Sequence, residues 1–145
     1  MNLGHIVRFR QQVEDLIREE MALAEWEKSQ ELAKEQGLRR DMMQLALELE
    51  QNLPHGVSGT FVAERYRWLE EKGQMLERQV ETIQRHEEKI SGLQEKLKEA
   101  YQSRRVIEIL MENEDAKRRK RMMRLEQQEQ DDLANLRKPL SEVRS

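Results

Sequence analysis

Three histidines are the chain's first candidates for proton transfer or metal binding, and their spacing supports neither. His5 lies near the N-terminus, His55 beside a proline, and His86 among acids. No two are four apart, the spacing that sets a pair of imidazoles on one helix face. Gly56-Val57-Ser58-Gly59-Thr60 offers glycines and hydroxyls, but no lysine follows to reach a nucleotide's phosphates. The acid pairs Glu19-Glu20, Glu70-Glu71 and Glu87-Glu88 have no predicted cleft to shift their proton affinity. They read as solvated helix faces, and His86 reads with them. With Cys 0, thiolate sites and disulfides are excluded. The expectation is no catalytic residue, no cofactor and no metal.

The sharpest charge feature is Lys117-Arg118-Arg119-Lys120-Arg121, with Arg124 close behind. Three readings stand beside one another: a solvated face, a protein-docking patch, or a site for nucleic acid or anionic lipid. Acidic Glu126, Glu129, Asp131 and Asp132 follow at once, which weakens the last, because phosphate binding favours unopposed positive charge. Methionine numbers 8 and doubles at Met42-Met43 and Met122-Met123. Thioethers pack adaptably against irregular partners.

The elements that carry these residues follow from composition. Of 145 residues, 38% are charged, 37% hydrophobic and only 4% aromatic. A globular domain usually carries about 45–50% apolar residues. This chain has too few large side chains to fill a compact interior, whereas a long helix needs only one apolar stripe. Lys+Arg 26 against Asp+Glu 29 leaves −3, without the basic excess of a typical nucleic-acid binder. No apolar run approaches the roughly 18 residues of a membrane span. The first ten residues lack the hydrophobic core of a signal peptide. A cytoplasmic protein is expected.

The chain breaks once, at Pro54-His55-Gly56-Val57-Ser58-Gly59-Thr60, where Pro and Gly oppose continuous helix. Upstream, Ile6, Phe9, Val13, Leu16 and Ile17, then Leu38, Met42, Leu45, Leu49 and Leu53, recur at three and four. Met21, Ala24 and Leu32 bridge a weaker middle, interrupted by Gly37. Downstream, Leu69, Leu76, Ile83, Ile90 and Leu97 stand seven apart. The companion series is read as Tyr66, Gly73, Val80, Glu87, Gln94 and Tyr101, which is mixed. Ala100, Ile107, Leu110 and Met111 continue the face, and Met122, Leu125, Leu133, Leu136 and Leu140 form a late stripe. Either Ser58 or Thr60 is placed to cap the second helix. Pro139 is expected to end it.

The prediction is one all-α domain over 1–145, a two-helix antiparallel coiled-coil hairpin with unequal arms. Its helices run over about 3–53 and 61–138, joined by 54–60. At 1.5 Å per residue the arms would differ by roughly 40 Å. The uncovered part of the longer arm must bind something, self-associate or fray.

In the order of its elements the chain resembles the soluble coiled-coil component of the bacterial flagellar type III export ATPase complex, the FliJ family. A related stalk occurs in virulence type III secretion. The residues that carry the resemblance are the Asn52-Leu53-Pro54-His55-Gly56-Val57-Ser58-Gly59 connection and Arg65-Tyr66-Arg67-Trp68 after it. The charged stretch from Arg104 to Arg119 and the late Glu126-Gln127-Gln128-Glu129-Gln130-Asp131-Asp132-Leu133-Ala134 segment complete it. The resemblance implies a hairpin similar to the central stalk of rotary ATPases. It also implies that the protein hydrolyses no ATP and places its chain ends in the pore of a hexameric export ATPase. Contacts with the membrane-embedded export gate protein and with export chaperones are implied as well. So is coupling to a gate driven largely by proton-motive force, at the cytoplasmic face of the inner membrane at the flagellar base. By that analogy Val7, Val13, Arg118, Arg119, Met123 and Leu133, around the open end, are the ring-facing candidates. Arg85, Glu88 and Lys89 are the candidates for the gate contact. The competing readings are a generic coiled-coil scaffold that self-associates and, behind it, a nucleic-acid-binding helix.

Overall fold

The computed structural model describes the backbone of residues 2–144 and the side chains of residues 2–137. Helix α1 runs Leu3–Asn52, a single 3₁₀ turn covers Leu53–His55, and helix α2 runs Gly59–Arg144. The arms are unequal, 50 residues against 86.

Local chemistry sets the connection. Pro54 disfavours helical backbone at Leu53, so α1 stops at Asn52, one residue earlier than expected. Leu53, predicted to close the α1 stripe, is instead 49% exposed in the turn. Gly56 takes φ 75°, in the left-handed region, and its N–H donates to the Leu53 carbonyl at 3.4 Å. Ser58, not Thr60, is the cap. Its Oγ accepts the Phe61 N–H at 3.2 Å, and its carbonyl accepts the Val62 N–H at 3.3 Å. Because Ser58 performs this role, Gly59 already enters α2, two residues before the expected start. At the other end, helical backbone continues past Pro139 to Arg144. Proline costs a helix one hydrogen bond and crowds the preceding turn, but it does not forbid helix. Leu140, expected in the late stripe, lies outside the residues whose side chains are described.

Two compact units divide the chain, one of Met1–Val13 with Ala100–Ser145, the other of Glu14–Glu99. Within the second, α1 and α2 pair as an antiparallel hairpin. Glu48 meets Arg65 at 3.3 Å, Asp41 meets Lys72 at 3.2 Å, and Lys28 meets Glu87 at 3.5 Å. The α1 numbers fall as the α2 numbers rise, which fixes the direction.

The seam of this unit consists of four seven-residue series. On α1 they are Glu14, Met21, Lys28, Glu35, Met42, Leu49 and Ile17, Ala24, Glu31, Leu38, Leu45, Asn52. On α2 they are Val62, Leu69, Leu76, Ile83, Ile90, Leu97 and Arg65, Lys72, Gln79, His86, Leu93. Every one of these residues is buried or half-buried. The first α2 series is the one read from sequence. The second corrects the expected companion, whose Tyr66, Val80, Glu87, Gln94 and Tyr101 are all exposed and whose Gly73 alone is half-covered. Apolar contact concentrates in two places. Ala24, Ile90 and Leu93 form a buried cluster with Ile17 and Met21 packed on it, while Leu45 and Leu49 are buried nearer the turn. Between them, around Lys28, Glu31 and Glu35, the seam is polar. That stretch is the weak middle the sequence shows upstream of Gly37.

In the unit of Met1–Val13 with Ala100–Ser145, covered side chains belong to the first segment and to the beginning of the second. Leu3, Ile6, Val7, Arg10 and Val13 are half-buried, as are Ala100, Arg104, Ile107 and Met111. From residue 112 to 137 every side chain is exposed.

Candidate functional site

All six ring-facing candidates, Val7, Val13, Arg118, Arg119, Met123 and Leu133, fall in the unit of Met1–Val13 with Ala100–Ser145. Their environments divide them. Val7 and Val13 are half-buried on α1. Met123 is 69% exposed and Leu133 55%, in a run that also exposes Met122, Leu125 and Leu136. Five large apolar side chains thus stand in the open on this helical segment. Arg118 and Arg119 are exposed, and Arg118 lies 3.9 Å from Asp115 one turn back. Such an ion pair contributes little to stability, so the guanidinium is available to a partner. Among the acids that follow, Asp131 accepts from Gln127 at 3.2 Å.

Arg104 and Arg105, at the start of the α2 part of this unit, form a tight charge network. Both donate to Glu108, and Arg105 also reaches Glu112 at 3.4 Å. Hydrogen bonding from Arg105, then Arg104, holds the Glu108 carboxyl below the usual carboxylate range. Arg104 also covers the Tyr101 ring at 5.2 Å.

The gate candidates Arg85, Glu88 and Lys89 belong to the Glu14–Glu99 unit and are all exposed. Steps of three and four residues put them on one α2 face, beside but not in the seam. Their neighbour His86 is half-buried in the seam, with Nδ1 3.8 Å from Glu27 Oε2. Glu87 contacts Lys28. The reading of His86 as solvated helix surface is therefore corrected; Glu87 is exposed as expected and also pairs across to Lys28. Glu88, Glu19, Glu20, Glu70 and Glu71 are solvent-facing as expected.

Seam polarity is the feature missed from sequence. Gln79 Nε2 donates to the Glu31 main-chain carbonyl at 2.8 Å and also to its carboxylate. That amide, followed by the Lys34 ammonium, holds the Glu31 carboxyl below its ordinary range. Nearer the turn, Arg65 is stacked over both the Phe61 ring (5.0 Å) and the Trp68 ring (5.8 Å) while it pairs with Glu48. No group of three metal-ligating side chains occurs among the described residues. Nor, among them, is any helix long and apolar enough to cross a membrane.

These features define a class: an antiparallel coiled-coil hairpin whose longer helix carries exposed apolar and basic residues. The family model of the flagellar FliJ protein matches residues 2–138, and the chain belongs to that family. It is thereby a non-enzymatic component of flagellar protein export. No curated protein and no solved structure matches the chain.

Proposed function

We propose that the chain is the stalk of the flagellar type III export apparatus, seated in the export ATPase hexamer and coupling it to the export gate. The observation that carries this reading is the wholly exposed segment 112–137 of α2, which pairs a basic cluster with Met122, Met123, Leu125, Leu133 and Leu136. Membership in a family of export components supports reading this segment as a docking surface for another export protein. Arg118 and Arg119 contribute charge, Met123 and Leu133 apolar contact, and Val7 and Val13 the α1 side of the same unit. Arg85, Glu88 and Lys89 provide the gate contact from the hairpin's flank. Export chaperones are further partners. The protein works at the cytoplasmic face of the inner membrane, held there by protein contacts.

Light scattering of the purified chain with the cognate export ATPase tests this directly. One stalk-containing ATPase assembly is expected, and it should weaken about tenfold or more when Arg118→Glu and Arg119→Glu are combined. An unchanged affinity at matched salt would remove those residues from the contact. Absence of any complex would remove the stalk role itself.

A further inference from the structure

The polar half of the seam has a purpose that packing alone does not require. The α2 stripe Leu69, Leu76, Ile83, Ile90 and Leu97 is a regular heptad repeat, the pattern by which identical helices associate. Four other α2 seam residues lie in the same interface: Arg65, Lys72, Gln79 and His86. In a parallel pair of two α2 helices each of these would face its own copy, lysine against lysine and arginine against arginine. In an antiparallel pair centred on Ile83, Lys72 would lie level with Leu93 and Gln94, with no acid in the seam. In a parallel pair of two α1 helices, Lys28, Glu31 and Glu35 would likewise each face its own copy.

In the native hairpin, α2's polar seam residues meet complementary groups on α1. Arg65 finds Glu48, Lys72 finds Asp41, Gln79 finds Glu31, and His86 lies against Glu27. Lys28 of the α1 seam finds Glu87. These side chains remain partly exposed, so each contact by itself adds little to stability. Selectivity depends instead on the difference between the matched arrangement and the mismatched ones.

We infer that Lys72, Gln79 and His86 act as partner selectors, committing α2 to α1 of its own chain and preventing α2 from pairing with a second copy. A hydrophobic seam would give the hairpin equal or greater burial, but it would leave α2 free to choose another α2.

The test is the oligomeric state of the full chain with Lys72→Leu, Gln79→Leu and His86→Leu combined. Light scattering should give the native chain a mass of 17.4 kDa, and the triple variant twice that. Because the chain has no cysteine of its own, Ile83→Cys adds a second readout. Oxidation should link two chains on the triple-variant background and leave the native background unlinked. A triple variant that keeps the one-chain mass overturns the inference, whether or not its helix content is retained. Equal cross-linking on the two backgrounds overturns it as well, because α2 would then pair with itself despite the selectors.

Discussion

Gln79 reaches from α2 across the seam and donates from one amide nitrogen to both the main-chain carbonyl and the carboxylate of Glu31 on α1. The carboxylate is thereby better stabilised in the folded chain than in the unfolded one. A group of this kind stabilises the fold above its unfolded value, about 4.3 for glutamate. That contribution is lost as pH falls through the lower folded value.

Acid sensitivity should therefore be partly localised at this layer. The thermal midpoint of the native chain is expected to fall as pH drops below about 5. Glu31→Gln should reduce that fall without abolishing it, because Glu108 is also held low by Arg105 and Arg104. Circular dichroism melts across that range measure the difference. Parallel curves for the two proteins would show that Glu31 carries no linkage.

Glycine substitutions should act in opposite directions at two positions. A Cβ at Gly37 meets nothing within 4 Å, and its backbone is ordinary α-helix. Gly37→Ala should stabilise the chain by about 1 kcal/mol, the usual helical penalty of glycine. At Gly56, with φ 75°, alanine must adopt the left-handed region. Gly56→Ala should cost about 1–2 kcal/mol. Denaturant titrations of both variants check the two signs.

Capping should distinguish Ser58 from Thr60. Only Ser58 Oγ accepts a helix-entry N–H, that of Phe61. Ser58→Ala is expected to lose about 1 kcal/mol, and Thr60→Ala a few tenths at most. Equal losses would mean that the two hydroxyls share the role.

Stability and partner binding should separate along α2 and α1. Leu49 is 5% exposed, so Leu49→Ala should cost about 2–5 kcal/mol in unfolding experiments. Leu133 is 55% exposed, and Leu133→Ala should remain within about 0.5 kcal/mol of the native chain. On the proposed reading, only the Leu133 variant among these two loses ATPase affinity at a temperature where both are folded. Titration of each folded variant against the ATPase resolves this.

The hairpin was legible because its strong evidence was apolar. Leu69, Leu76, Ile83 and Ile90 announce a seven-residue repeat, and Pro54 with Gly56 announces the turn. The second α2 series was not legible. Its members Arg65, Lys72, Gln79 and His86 give no hydropathy signal, and the reading settled one residue along, on Tyr66, Gly73 and Val80. Long side chains such as Lys72 cover a seam with their methylenes while their charged ends reach outward, so burial there is invisible to polarity. The same reason hid Lys28, Glu31 and Glu35 on α1. Of the candidate site, the basic cluster at Lys117–Arg121 was plain from the residues. What it binds was not, because an exposed charge carries no record of its partner; that expectation came from the family.

The seven-residue spacing of the seam also gives the hairpin a mechanical sense. An α-helix of 3.6 residues per turn can keep a seven-residue stripe against its neighbour only by winding left-handed around it. Applied torque in that direction tightens the contact between α1 and α2, and torque in the opposite direction unwinds it.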